Sequence, residues 1–246
     1  MSGVYKVDQE GSQEEPRGRG AVYIDGFNLY HPIKESKLEH LKWSNLWRLS
    51  EIICDAENLD LVKAVFCTAV PKHLPDSRDR HNKFNAAQIA NGVEVIKGHH
   101  VPDSETGRYS EKQSDINVAL SLMLDGMDDV YDVAFLVSAD SDQVATGTFF
   151  QDRLAPKGKR MFAVIPFTKT FPSNYVGLGI EQRDITIEMI EAALMPEVVQ
   201  GKTGPIIRPE QYKRPEGWVH PDDRPKGKAP PPPKRNEWSR PFRAER

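Results

Sequence analysis

The chain has 246 residues with a net charge of −3, and 38% of its residues are hydrophobic, so a single domain with polar extensions accounts for its length. No apolar run is long enough to cross a bilayer and residues 1–20 lack the hydrophobic segment of a secretory signal, so we expect a cytoplasmic protein with no membrane partner. The only two cysteines, Cys54 and Cys67, are too few for a disulfide framework or a four-ligand zinc site, and we expect two buried thiols.

Short apolar runs alternate with segments of helical period between residues 20 and 200. This alternation is typical of a parallel sheet with helices on both faces, so the sequence predicts the α/β class. The predicted strands cover 21–25, 61–70, 93–97, 132–138 and 160–166, and the predicted helices cover 43–55, 79–91, 115–124 and 142–154. Residues 184–194 form a further short strand or helix that closes the domain.

Two segments in the middle of the chain have distinct patterns. The strand at 132–138 is apolar without alternation, as expected of a central strand buried on both faces. In the helix before it, one apolar stripe is formed by Ile116, Ala119, Leu120, Met123 and Leu124. The polar stretch at 98–113 has no periodicity, and we predict a mobile lid that decides much of the substrate choice.

The C-terminal region differs in composition from the rest of the chain. Residues 201–246 carry 12 Lys and Arg against six Asp and Glu, whereas residues 1–200 carry 21 against 30. The same region holds ten of the 19 prolines and few aliphatic residues, so it buries too little surface to offset its ordering entropy. We therefore predict a flexible segment at 1–19, a folded domain at 20–200 and a disordered basic tail at 201–246.

The tail has two candidate partners. Its cations attract polyanions, and Trp238 and Phe242 are suited to stacking on unpaired bases, which favours RNA. The run of prolines at 230–233 equally fits a linker that binds a protein partner.

Carboxylates directly after the strands are the candidates for chemistry, because ligands of such sheets bind outside the carboxyl ends of the strands. Asp25 ends the first strand and is followed by Gly26 and Asn28, while Asp140 and Asp142 follow the central strand. If these two strands are neighbours, their three carboxylates converge. A fourth, Asp115, begins the helix that leads to the central strand.

Clustered carboxylates repel one another unless a cation neutralises them, and oxygen ligands without His or Cys suit Mg²⁺ or Mn²⁺. The natural substrate of such a site is a phosphodiester. Each acid alone also has an ordinary structural explanation: Asp25 as a turn residue, Asp115 and Asp142 as helix caps, Asp140 as a solvated loop acid. Asn28 orients Asp25 or forms an exposed turn.

Two cations lie in the polar stretch before Asp115. Lys112 and Arg108 are candidates for phosphate contacts, with a solvated loop as the alternative for each. The chain has no Gly-rich loop ending in Gly-Lys-Ser/Thr and no dinucleotide fingerprint, so P-loop and Rossmann dinucleotide chemistry are disfavoured.

Three blocks in this order resemble the NYN domain, in the LabA-like branch of the PIN-like nucleases. The blocks are Tyr23-Ile24-Asp25-Gly26-Phe27-Asn28-Leu29, Lys112-Gln113-Ser114-Asp115 and Leu136-Val137-Ser138-Ala139-Asp140-Ser141-Asp142. Ala139 replaces a glycine common in the family, and Gln143 replaces an aromatic residue that often follows the last acid.

The resemblance implies a Rossmann-like three-layer α/β/α sandwich with a mainly parallel central sheet and an acidic, Mg²⁺-binding pocket, usually of a ribonuclease. It implies that Asp25, Asp115 and Asp140 bind the metal and that Asp142 is a fourth catalytic acid. The expected substrate-binding residues are Asn28, Ser138, Lys112 and Arg108.

Our hypothesis is therefore a metal-dependent ribonuclease that acts on RNA, with single strands as the expected form. The rival is a noncatalytic module that uses the same acidic pocket to bind a nucleotide or a protein. An aspartyl-nucleophile phosphatase is disfavoured, because Phe27 stands where that chemistry requires a second acid.

Overall fold

The computed structural model of the chain describes residues 17–71, 74–102, 109–170 and 172–225. These residues form ten strands: β1 (Gly18–Asp25), β2 (Leu59–Thr68), β3 (Glu94–Lys97), β4 (His99–Pro102), β5 (Tyr109–Lys112), β6 (Val133–Val137), β7 (Arg160–Pro166), β8 (Glu181–Ile185), β9 (Val198–Gly201) and β10 (Gly204–Ile207). They also form six α-helices: α1 (Gly26–Glu35), α2 (Leu46–Asp55), α3 (Pro75–Ala90), α4 (Ser114–Met127), α5 (Val144–Arg153) and α6 (Ile187–Ala192).

Six strands form one parallel sheet in the order β3-β2-β1-β6-β7-β8. The chain builds one half of the sheet outward from β1 and then crosses over to build the other half outward from β6. The strand order therefore reverses between β1 and β6, and a crevice at such a reversal is where sheets of this kind bind ligands.

The two faces of the sheet bury separate apolar clusters. On one face, Val22 and Ile24 of β1 pack with residues of α1, α2 and α6, and on the other face, Ala21 and Tyr23 pack with residues of α4 and α5. The central strand β6 is buried at all five positions. This arrangement confirms the predicted α/β/α sandwich and the strand buried on both faces.

Helix α4 turns a different side to the sheet than its sequence suggests. Its buried apolar residues are Val118 and Leu122, whereas Ile116, Leu120 and Leu124 are 60%, 54% and 57% exposed. Of the apolar stripe found in the sequence, Met123 packs partly against the cluster on this face, while Ile116, Leu120 and Leu124 face away from it. The cause is that α4 is apolar around most of its circumference, so periodicity alone does not fix which side is buried.

The polar stretch before α4 contains regular structure. β4 and β5 pair as an antiparallel hairpin, so the absence of periodicity did not indicate an irregular loop. Residues 103–108, which connect the two strands, lie outside the described residues, and part of the predicted lid falls on them.

The segment 201–225, predicted to be part of a disordered tail, is folded against the domain. β9 and β10 form a hairpin, Tyr212 is buried, and Trp218 donates from Nε1 to Oε1 of Glu191 at 3.1 Å. Arg224 forms an ion pair with the same carboxylate at 2.7 Å. Composition failed here because it does not reveal that Tyr212 and Ile206 pack with an apolar cluster of the domain around Trp43. Residues 226–246, with Trp238 and Phe242, lie outside the described residues.

The N-terminal boundary also differs slightly from the expectation. β1 begins at Gly18, and Arg19 binds the carboxylate of Asp132 at 2.8 Å, so these residues belong to the domain. Cys54 and Cys67 are both buried and form no disulfide, as predicted. Within the described ranges, no helix has the length and apolar character needed to cross a membrane.

Gly26 starts α1 where this helix passes closest to β2. A Cβ at this position would lie 2.7 Å from the carbonyl oxygen of Cys67 and 2.9 Å from Cε2 of Phe66. We expect Gly26→Ala to lower the free energy of unfolding by about 1–3 kcal/mol, because a strand backbone cannot move aside. Urea unfolding measures this loss.

Gly177→Ala is the matched control, since a Cβ there would meet no atom within 4 Å. Its effect should stay within about 0.5 kcal/mol. Equal losses in the two variants would contradict the close approach of α1 to β2.

Candidate active site

The first group of candidate residues lies where β1 and β6 end side by side. The two strands pair in parallel up to Ile24 opposite Val137, so Asp25 and Ser138 are the next residues of the two strands at the carboxyl edge. The prediction that these strands are neighbours is thus confirmed. The acids that follow them therefore lie at the same edge of the sheet, where the strand order reverses.

Asp25 is fully buried and is the N-cap of α1. Its Oδ1 accepts hydrogen bonds from the backbone N–H groups of Phe27 (3.0 Å) and Asn28 (3.2 Å), and its Oδ2 accepts from Asn28 Nδ2 (2.6 Å) and Ser138 Oγ (3.3 Å). Burial raises the pKa of this carboxyl, and the four hydrogen bonds oppose that rise. Asp25 is therefore held rigidly by its partners, which goes beyond the role of a simple turn residue.

Asn28 bridges the ends of the two central strands. Its Nδ2 donates to Asp25, and its Oδ1 accepts from the backbone N–H of Ala139 at 3.1 Å. Ser138 adds a second link, because its hydroxyl donates to Asp25 and accepts from the backbone N–H of Asp140 at 3.2 Å. The expectation that Asn28 orients Asp25 agrees with this network, and the alternative of an exposed turn does not.

The two acids after β6 differ in their surroundings. Asp140 caps the short 3₁₀ turn at 141–143, and its Oδ1 accepts from the backbone N–H of Asp142 at 3.0 Å. Asp142 itself is exposed. The structural explanation in which Asp142 is the cap and Asp140 a solvated loop acid is thus wrong, since the cap is Asp140.

Asp115 is the second residue of α4 and does not cap that helix. The capping position is held by Gln113, whose φ of 79° turns the chain from β5 into α4 without a side-chain capping bond. Partial burial raises the pKa of Asp115, and the negative charges of Asp25, Asp140 and Asp142 raise it further. The negative charges of all four predicted acids are therefore electrostatically coupled at one site.

One contributor to the site was not singled out as such from the sequence. Gln143 is buried; its Nε2 donates to the carbonyl oxygen of Asp115 at 3.0 Å, and its Oε1 accepts from Thr146 Oγ1 at 2.8 Å. It thus ties the start of α4 to the segment after β6. The signal in the sequence was that Gln143 directly follows Asp142, where the family that the chain resembles often has an aromatic residue.

The described side chains of this site do not include those of the two predicted phosphate-binding residues. Lys112 is the last residue of β5, opposite His99, and the structure describes only its backbone. Arg108 lies outside the described residues. Their roles stay predictions.

The ligand atoms that the acids offer suit a hard divalent cation both in chemistry and in charge. The converging side chains offer oxygen atoms and no His or Cys, and their mutual repulsion is what a bound cation would relieve. In the part of the chain that the structure describes, however, no three His, Cys, Asp or Glu side chains are already arranged as a metal-binding group. The four acceptor positions of Asp25 are filled by hydrogen bonds, so Asp115, Asp140 and Asp142 have the more accessible oxygens.

Three comparisons with known proteins bear on this arrangement. The family model of the NYN domain matches residues 19–167, which include β1, α4, β6 and all four acids. A crystal structure of a protein of unknown function from Vibrio parahaemolyticus is similar in fold, with a TM-score of 0.50 and 18% identity over 71% of this chain and 97% of that one. No curated protein matches the sequence.

Replacing Asp115 should stabilise the fold near neutral pH. Because the folded state raises the pKa of this carboxyl above its ordinary value of 3.8, folding favours the protonated form, and stability is lost as the pH rises through the folded-state pKa. We expect Asp115→Asn to raise the free energy of unfolding at pH 7 and the gain to shrink at about pH 4. Urea unfolding at both pH values measures it.

Asp76→Asn is the matched control, because Asp76 is the second residue of α3 as Asp115 is of α4. The control loses a favourable contact with its helix dipole and gains nothing from relief of repulsion, so its stability should fall slightly or stay unchanged. A stability gain of equal size in both variants would contradict the shared acidic site.

Proposed function

Because the chain belongs to the NYN domain family, we propose that it is a nuclease that uses Mg²⁺ or Mn²⁺ to hydrolyse the phosphodiester bonds of single-stranded RNA. Membership of this family, within the PIN-like nucleases, indicates a nuclease in general. The observation that carries the finer proposal is the meeting of Asp25, Asp115, Asp140 and Asp142 in one electrostatic site at the reversal of strand order. The LabA-like branch, a cytoplasmic location and an endonucleolytic mode belong to the same proposal.

The surroundings of each acid indicate its role in the proposed reaction. Asp115 and Asp140 have oxygen atoms open to a cation, while Asp25, fixed by Asn28 and Ser138, adds its negative charge to the site. A bound divalent cation would make water a better nucleophile near neutral pH and would neutralise charge on the phosphate. Asp25 would contact the cation directly only by exchanging one of its hydrogen bonds, and the 3.3 Å bond from Ser138 is the longest.

Side chains at the rim of the site would orient the attacking water, accept its proton and hold the phosphate. Asp142 is exposed beside Asp140, where its carboxylate would orient the attacking water and accept its proton. Attack on phosphorus breaks the bond to the leaving sugar oxygen, which takes a proton from solvent. Lys112 and Arg108 would hold nonbridging phosphate oxygens, and residues 226–246 would supply further contacts to RNA or to a protein partner.

Cleavage assays with labelled single-stranded RNA, structured RNA and single-stranded DNA test the proposal, each with EDTA, Mg²⁺ or Mn²⁺. We expect metal-dependent cleavage of single-stranded RNA that falls by at least about 100-fold in Asp140→Asn and in Asp115→Asn. The second variant is informative because it is expected to be more stable than the parent, so lost activity could not be ascribed to unfolding.

Asp152→Asn, which removes an exposed acid from α5, is the control and should cleave as the parent does. Cleavage that survives in EDTA, or that persists in both site variants, would contradict the proposal. A folded parent that binds Mn²⁺ but cleaves none of the substrates would favour the rival function, a noncatalytic binding module.

A further inference from the structure

A cavity of about 260 Å³ lies beside the acidic site at the same edge of the sheet. Gly26 and Phe27 of α1 line it on the side of Asp25, and Thr68 and Ala69 line it at the end of β2. Helix α3 supplies a further wall, and Tyr212, from the C-terminal segment, completes it. Among the residues that the structure describes with their side chains, those predicted as functional from the sequence do not line this cavity.

Aromatic rings form much of the lining. Tyr30 lies 6.0 Å from His81 between ring centroids, with the planes tilted by 50°, and Phe66 meets Phe84 edge to face at 5.8 Å. Phe27 and Tyr212 add two more rings. Such walls offer faces and edges to a flat aromatic ligand, and stacking on them does not depend on the identity of the base.

The charge of the lining is of one sign. The described residues that line the cavity include Lys34, Lys42 and Arg80 and no Asp or Glu, although residues 1–200 carry a net charge of −9. Lys42 is offset by an ion pair with Glu39 at 2.7 Å, and Arg80 hydrogen-bonds the hydroxyl of Tyr212. Burial together with the charges of Lys169 and Lys34 lowers the pKa of the neighbouring His31. The local potential therefore favours an anion.

One buried donor in the cavity has no hydrogen-bond partner among the described residues. Asn85 is only 2% exposed, and its Nδ2 forms no hydrogen bond with any residue that the structure describes. An unsatisfied buried donor costs free energy, which an acceptor on a ligand would recover. Ring nitrogens and carbonyl oxygens of nucleobases are acceptors of this kind.

We propose that this cavity binds one nucleotide, with its base among the aromatic rings and against Asn85 and its phosphate toward Arg80 and Lys34. Its volume suits a base with part of its sugar and excludes a longer segment of nucleic acid. The ligand is either a free mononucleotide or one residue of a strand that also reaches the acidic site, since Gly26 directly follows Asp25. The proposal goes beyond the nuclease function, because binding here requires neither a metal nor cleavage.

Isothermal titration of the full chain in EDTA tests the proposal separately from catalysis. The mononucleotide probes are AMP, CMP, GMP and UMP. Adenosine lacks the phosphate and inorganic phosphate lacks the nucleoside, so these two test each half of the nucleotide alone. A trinucleotide of single-stranded RNA represents a strand. We expect at least one mononucleotide to bind saturably and more tightly than adenosine or phosphate. Tighter binding of the trinucleotide would identify a strand as the source, and preference for the mononucleotide would identify the free ligand.

Two variants assign the binding to the cavity. Asn85→Leu removes the buried donor at similar volume and should weaken nucleotide binding by about tenfold. Arg80→Gln, at a half-exposed position, should weaken the nucleotide by about fivefold while leaving adenosine unchanged. Asn82→Leu and Lys83→Gln, at exposed positions on the same helix, are the matched controls.

The absence of saturable binding by all four mononucleotides would overturn the proposal. So would binding that is equally strong for phosphate alone, or that Asn85→Leu and Arg80→Gln leave unchanged. If the nuclease assay fails and nucleotide binding persists, the cavity proposal stands without the proposed function, and the reverse outcome separates the two in the same way.

Discussion

The parallel pairing of β1 with β6, fastened at its carboxyl end by Asn28, is the constraint on which the site depends. One amide donates to Asp25 at 2.6 Å and accepts from the backbone of Ala139 at 3.1 Å, so the ends of two strands that are far apart in sequence are held together. Asp140 lies at this edge of the sheet because it follows β6. The hydrogen bond from Gln143 to the backbone of Asp115 holds the start of α4 at the same edge. Hydrogen bonds between amide side chains and the backbone hold the acids near one another, although their negative charges repel.

This arrangement has an energetic consequence for the fold. Burial raises the pKa of Asp25 and of Asp115, and the neighbouring charges raise that of Asp115 further, so both carboxylates are less stable in the ionised form here than in water. Three contributions offset this cost: the apolar clusters on the two faces of the sheet, the hydrogen bonds to Asp25, and the favourable position of Asp25 at the N-terminus of the α1 dipole. Because a cation would relieve the repulsion among these carboxylates, the site is suited to binding a cation beside a phosphate.

The sequence predicted the central strands and the acids after them because both depend on local patterns. An apolar run without alternation, such as 133–137, has few structures open to it, and a carboxylate after such a run must lie at the edge of the sheet. The buried face of α4 was not predictable, because Ile116 and Val118 are equally apolar and only tertiary packing distinguishes them. The folding of residues 201–225 depends on Trp218 and Arg224 meeting Glu191, a contact that composition cannot reveal. The cavity beside α1 was not predicted for the same reason, since its walls come from five separate segments of the chain.

Binding of Mn²⁺, followed by its electron paramagnetic resonance signal in solution, tests most directly whether the converging acids form one cation site. The account predicts saturable binding by the parent that weakens in both Asp115→Asn and Asp140→Asn, although the two residues come from different elements. Asp76→Asn should bind as the parent does. A parent that binds no Mn²⁺, or variants that bind it as tightly as the parent, would contradict the account.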